Sequence, residues 1–161
     1  IVIHPTSRWF FKCWSEEKMA SLINQLATEG YPMILTSGPD HAETEMVSRI
    51  QAMSKGEHIV SLAGKMTLPQ LAALIDHAAL FIGVDSVPMH MAAALNTPYV
   101  ALFGPSKLTL WHPWEGRGTV LWAGDFGPLP HPDDIKTDTD ERYLDLIPVQ
   151  AVLTPAQDLL K

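Results

Sequence analysis

Leu80-Phe81-Ile82-Gly83-Val84-Asp85-Ser86-Val87-Pro88-Met89-His90-Met91-Ala92-Ala93-Ala94 is the stretch on which the fold turns. An apolar run of strand length ends in the polar pair Asp85-Ser86, and an alanine-rich helical pattern then carries on to about Leu95. A strand, a tight turn and a helix in that order form the repeating unit of a parallel sheet with crossover helices. The new helix begins with backbone N–H groups that have no intrahelical acceptor, so its N-terminus is a ready anion site. Ala92, Ala93 and Ala94 are small enough to bring that helix close to the sheet. The plainer reading of the turn is capping by Asp85 or Ser86, with His90 an ordinary helix residue. Capping and anion binding are compatible, because a capped N-terminus keeps free N–H groups.

The same alternation extends in both directions. Upstream, Ile1 to Ile3 reads as a strand. Ser15 is placed to cap a helix whose first turn holds Glu16 and Glu17 and whose apolar face is Met19, Leu22, Ile23 and Leu26, with Gly30 as its end. Met33 to Leu35 is the next strand. A helix follows from about His41 to Met53 with Met46, Val47 and Ile50 inward, then a short strand at Ile59-Val60. Thr67 caps a third helix, Leu68 to His77, with Pro69 allowed in its first turn. Downstream, Tyr99 to Phe103 and Val120 to Trp122 are strands. An acidic stretch runs from Asp133 to Asp145, and Val149 to Leu160 closes the chain as a helix interrupted by Pro155. The expected product is an α/β fold, a Rossmann-like doubly wound parallel sheet, with ligands outside the carboxyl ends of the strands.

Composition narrows the class. The chain has 161 residues, 47% apolar and 18% charged, which suits one folded domain over residues 1–161 and argues against disorder. Its 18 acidic and 11 basic residues leave a formal charge of -7, the wrong sign for a general nucleic-acid binder, although one small anion in a local cationic pocket stays compatible. The single cysteine, Cys13, suits a reducing compartment. No apolar run reaches membrane-spanning length. The chain opens directly on a core-like strand without an initiator Met, which leads us to expect part of a longer protein.

Two further junctions carry ligand chemistry. His4-Pro5-Thr6-Ser7-Arg8-Trp9-Phe10-Phe11-Lys12-Cys13-Trp14 sets two hydroxyls, a guanidinium and an ammonium just past a strand end, a set that suits a diphosphate. The plainer alternative is a surface loop whose aromatics cover the sheet edge. Ser37-Gly38-Pro39-Asp40-His41-Ala42-Glu43 places a carboxylate after the second strand, where ribose hydroxyls are commonly bound, although pairing of Glu43 with the helix dipole explains it alone and is the plainer reading. Asp138-Thr139-Asp140 matches a metal-binding Asp-x-Asp pattern but sits in an acidic loop away from any strand end, so it reads as solvated loop. His4, His90, His112 and His131 lack zinc-site spacing. The dinucleotide and P-loop glycine fingerprints and the hydrolase Gly-x-Ser-x-Gly elbow are all missing, which disfavours a dehydrogenase, an NTPase or a serine hydrolase.

Gly83 to Ala94, followed by Pro98-Tyr99-Val100-Ala101-Leu102-Phe103-Gly104-Pro105-Ser106, resembles the signature of glycosyltransferase family 9, the lipopolysaccharide heptosyltransferases. The Pro5-Thr6-Ser7-Arg8 loop with Lys12 and Trp14 resembles the loop after the first strand of that family's C-terminal domain. Arg8-Trp9-Phe10-Phe11-Lys12 and Asp140 to Pro148 look most like the subgroup that adds a side-branch heptose to the inner core.

The resemblance implies a GT-B enzyme of two Rossmann-like domains, of which this chain is the C-terminal, donor-binding one. The acceptor-binding N-terminal domain, with the catalytic base, would lie outside it. It implies inverting transfer of L-glycero-D-manno-heptose from ADP-heptose to the lipopolysaccharide inner core, with no metal and no cofactor beyond the donor. Thr6, Ser7 and Lys12 would hold the diphosphate, with Ser86 and its helix N-terminus facing it. Asp85 would meet the heptose hydroxyls, Glu43 the ribose, Lys65 or Met66 the adenine, and His90 the turn or the phosphates. The expected setting is the cytoplasm, with a peripheral contact at the inner membrane and no nucleic-acid partner. Val87-Pro88 replaces the family's more usual Gly-Leu, which alters the sugar pocket, and Asp133 to Asp145 stands where other members carry a cysteine-containing segment. A non-catalytic nucleotide-binding module and a GT-B enzyme using a UDP-sugar remain the alternatives.

Overall fold

The computed structural model describes residues 1–161. Six strands, β1 (Val2–His4), β2 (Met33–Leu35), β3 (Ile59–Ser61), β4 (Phe81–Val84), β5 (Tyr99–Phe103) and β6 (Gly118–Trp122), form one sheet in the order β3-β2-β1-β4-β5-β6. Every neighbouring pair is parallel. Helices α1 (Glu16–Thr28), α2 (His41–Met53), α3 (Leu68–Asp76), α4 (Val87–Ala94), α5 (Leu108–Trp111) and α6 (Val149–Leu159) connect and flank them. The order reverses between β1 and β4, and a sheet wound outward both ways from that point leaves a crevice there.

The apolar strands alternate between two buried faces. Ile3, Ile82, Val84, Val100 and Leu102 join α1, α2 and α6 in one cluster with Met19, Leu22, Met46 and Val152. Val2, Phe81, Tyr99, Ala101 and Phe103 face the other way, onto Leu71 and Ile75 of α3 and Met89 and Ala92 of α4. Burial on both faces is why these strands read as unbroken apolar runs.

Element types follow the sequence reading, with shifted ends. Gly30, with φ +86°, ends α1, as expected of a glycine where the chain turns left-handed. Thr67 caps α3 through a complete capping box with Gln70. Ser15 is the N-cap of α1, but its hydroxyl makes no cap bond. Its backbone N–H instead donates to Asp145 Oδ1 at 2.8 Å, so the acidic segment reaches back to that helix start. The same segment buries Leu144 in the core, where Ile147 just beyond it also lies, and is held by Arg142, whose guanidinium lies over the Phe10 ring and donates to Phe10 O at 3.0 Å. The short α5 and a 3₁₀ turn at Phe10–Lys12 were not foreseen, because neither is long enough to show periodicity. Helix α6 runs through Pro155, held by Val152, Leu153 and Ala156 in the core.

Candidate functional site

A cleft of about 790 Å³ opens at the carboxyl ends of the strands. The β1 loop supplies Thr6, Ser7, Arg8, Trp9 and Lys12, the β2–α2 turn supplies Gly38 and Glu43, and the β4–α4 turn supplies Asp85, Ser86 and His90. Met66 forms part of the wall ahead of α3. All eight residues singled out for a ligand role (Thr6, Ser7, Lys12, Glu43, Met66, Asp85, Ser86 and His90) therefore line one cavity, although up to 84 positions separate them. Lys65 does not. It is exposed and faces a separate shallow groove beside Gln70 and His77, so of the two residues named for the adenine only Met66 is in place. Val87 and Pro88 also line the cleft, where a substitution would reshape the pocket.

Two contacts tie the site across the sheet. Lys12 Nζ donates to Asp85 Oδ2 at 2.6 Å, joining the loop after β1 to the turn after β4 at the point where the strand order reverses. Thr6 Oγ1 donates to Glu43 Oε2 at 2.6 Å, and the Gly38 N–H donates to the same oxygen at 3.2 Å. Glu43 is thus held by two donors and keeps Oε1 for another partner. Its placement rests on specific bonds as well as on its position in the first turn of α2.

The start of α4 differs from the capping expectation. Ser86 is its N-cap, but the hydroxyl donates back to Val84 O at 3.1 Å, and no side chain caps the helix. Asp85 cannot cap because its carboxylate is turned toward Lys12. Pro88 in the first turn has no N–H to satisfy. The Met89 N–H donates to Ser86 O at 3.2 Å, so in the first three positions of α4 the Val87 N–H is the one left without a partner.

Burial tunes two groups at the base of the site. His4 is fully enclosed, and desolvation pulls its pKa down to about 4, so the ring is neutral at pH 7. Thr36 Oγ1 donates to Ile3 O at 3.3 Å, so the 2.9 Å contact from His4 Nδ1 is read from that network as an N–H donating to the hydroxyl. Cys13 is buried, and its thiol is pushed up to about 12, chiefly by desolvation. It accepts from the Ser7 N–H at 3.2 Å and so pins the loop instead of reacting.

Ser106 was missed as a site residue. It follows β5, and its Oγ donates to Asp85 Oδ2 at 2.6 Å, so one carboxylate oxygen takes both Lys12 and Ser106. Its signal was its place just beyond a strand end in Gly104-Pro105-Ser106. No three His, Cys, Asp or Glu side chains gather in a metal-holding group. Asp138 and Asp140 are exposed beside a surface turn, as their acidic context suggested.

The family model for glycosyltransferase family 9 (heptosyltransferase) matches residues 1–140. The chain belongs to that family. Lipopolysaccharide heptosyltransferase 3 of Escherichia coli is 44% identical over 160 residues, covering 99% of this chain and 46% of the relative. Lipopolysaccharide heptosyltransferase 2 of the K12 strain is 36% identical over 112 residues, covering 68% of this chain and 32% of the relative. Among solved structures, a family 9 glycosyltransferase from Veillonella parvula aligns with a TM-score of 0.84 at 27% identity, over 99% of this chain and 46% of that one. The structure of E. coli ADP-heptose LPS heptosyltransferase II aligns with a TM-score of 0.81 at 29% identity, over 99% and 45%. The chain spans a little under half the length of these relatives.

Proposed function

We propose that this chain is the donor-binding, C-terminal half of a GT-B heptosyltransferase that moves L-glycero-D-manno-heptose from ADP-heptose to the lipopolysaccharide inner core. The observation that carries this reading is the meeting of Lys12, Thr6, Ser7 and the start of α4 in one cleft, with Glu43 hydrogen-bonded to Thr6 beside them. Cation, hydroxyls and N–H donors suit a diphosphate. A carboxylate fixed one turn into α2 suits the paired hydroxyls of a ribose. A family 9 structure 29% identical to this chain carries ADP-heptose in its name.

In this reading the transfer is a direct displacement at the anomeric carbon with inversion. The acceptor hydroxyl attacks, its proton goes to a base on the N-terminal domain, and the C–O bond to the diphosphate breaks. Lys12 and the Val87 N–H at the start of α4 meet the charge that develops on the departing ADP, so no metal is called for. Asp85 Oδ1, the oxygen not engaged by Lys12 and Ser106, is available to the heptose hydroxyls. Met66 flanks the adenine, and His90 supports the β4–α4 turn or approaches the phosphates. The reading places the enzyme in the cytoplasm with a peripheral contact at the inner membrane. No helix of the chain is long and apolar enough to cross a membrane.

Calorimetric titration with ADP, ADP-heptose, UDP and GDP, without divalent metal, tests the donor assignment. ADP and ADP-heptose are expected to bind well ahead of UDP and GDP. Equal binding of UDP, or a folded chain that ignores ADP, would sink it. Heptose transfer by this chain alone would refute the placement of the base on another domain.

A further inference from the structure

The β1 loop holds an aromatic arrangement that donor binding does not explain. Phe10–Lys12 is a single 3₁₀ turn with Trp9 as its N-cap, closed by the Lys12 N–H donating to Trp9 O at 2.9 Å. Side chains three apart in such a turn eclipse one another, so Trp9 and Lys12 stand on the same side. The Lys12 ammonium lies 5.2 Å from the Trp9 ring centroid. Trp9 is itself kept in place by Phe11, with ring planes 10° apart and centroids at 6.1 Å. Phe11 is buried, so this backing belongs to the body of the protein. The ammonium thus sits between an indole and the Asp85 carboxylate.

We propose that Trp9 is a positioning residue that holds the Lys12 ammonium in place for the donor diphosphate. A lysine stem has four rotatable bonds, and Asp85 alone could hold the ammonium anywhere on an arc around its oxygen. The ring quadrupole attracts a cation over the ring faces and not at the edge, so the second contact narrows that freedom. It also works without hydrogen bonds, so the ammonium keeps protons for phosphate oxygens. A tryptophan 41% exposed at the cleft wall is otherwise a cost in water, and its ring is spent on a cation, not on the core.

The inference rests on the assignment of Lys12 to the diphosphate, and a double-mutant cycle separates the two. ADP and adenosine are titrated against the wild-type chain and Trp9→Leu, Trp9→Phe, Lys12→Met and Trp9→Leu/Lys12→Met. Trp9→Leu should weaken ADP about fivefold, the scale of one partly shielded cation–π contact. Adenosine, which has no phosphate, should change less than about twofold. Trp9→Phe, which keeps a weaker ring, should fall between Leu and wild type and carries the comparison if the Leu variant folds poorly. With Lys12→Met in place, Trp9→Leu should add nothing. Equal weakening of adenosine and ADP, or a full Trp9 effect in the Lys12→Met background, would show a merely structural role and overturn the inference. So would a silent Trp9→Leu alongside an active Lys12→Met. A silent Lys12→Met would overturn the diphosphate assignment itself, and this inference with it.

Discussion

Replacing Lys12 separates two roles that the cleft has merged into one side chain. Its ammonium is 2.6 Å from Asp85 Oδ2, with the two side chains only 15% and 5% exposed. Lys12→Met keeps the stem and removes the charge, leaving a buried carboxylate with Ser106 as its one remaining side-chain donor. Breaking a sealed ion pair costs about 3–5 kcal/mol, and the residual water access of Lys12 together with the Ser106 bond brings the expectation here to about 2–3 kcal/mol. ADP should also lose a charge-assisted contact, about 1.5–3 kcal/mol or roughly ten- to a hundredfold in affinity. Adding Asp85→Asn removes the orphaned charge. The double variant should therefore regain stability to within about 1 kcal/mol of wild type while ADP binding stays weak. Urea denaturation and calorimetry read the two quantities on the same samples. Recovery of ADP binding in the double variant would refute the reasoning, because Lys12 would then serve only to neutralise Asp85.

The remaining predictions concern stability. The folded chain holds His4 at about 4 while the unfolded chain protonates near 6.5, so between those values the unfolded state binds the extra proton and stability falls as pH drops. The His4 contribution is intact above pH 6.5 and shrinks by about 3 kcal/mol by pH 4; urea midpoints at pH 7.5, 6 and 5 should slope less in His4→Gln than in wild type. Gly64→Ala should cost about 1–2 kcal/mol, because Gly64 sits at φ +69° and a new Cβ would lie 2.8 Å from Thr44 Cγ2. The thermal midpoint should fall by roughly 4 °C, and Thr44→Ser, which removes that methyl, should recover part of the loss but not the backbone strain.

The local code for each element is written in residues close together in the chain, which is why it could be read directly. Apolar runs bounded by Gly38-Pro39 and Asp85-Ser86, the capping box at Thr67 and the glycine end at Gly30 are all neighbours' chemistry. Strand-end position then picked out Thr6, Lys12, Glu43 and Asp85, because a parallel sheet sends every such end to the same side. The start of α1 was legible at Ser15, but the acceptor of its backbone N–H, Asp145, lies 130 residues away and no local pattern announces it.

What the amino-acid order determined by itself was the parallel α/β architecture, the side of the sheet on which the cleft opens, and the loops that line it. These depend on period, caps and turns, whose energies act over a few residues. Only the tertiary structure decided the partners inside the cleft. Lys12 meets Asp85 from 73 positions away, Thr6 meets Glu43 from 37, and Ser106 joins Asp85 from 21. Lys65 and Met66, adjacent in sequence, both line the groove beside Gln70, but only Met66 also reaches the cleft. Pairings of this kind follow from the order in which strands are laid side by side, and a chain read one residue at a time does not contain that order explicitly. The Lys12–Asp85 contact exists because β1 and β4 became neighbours in the sheet.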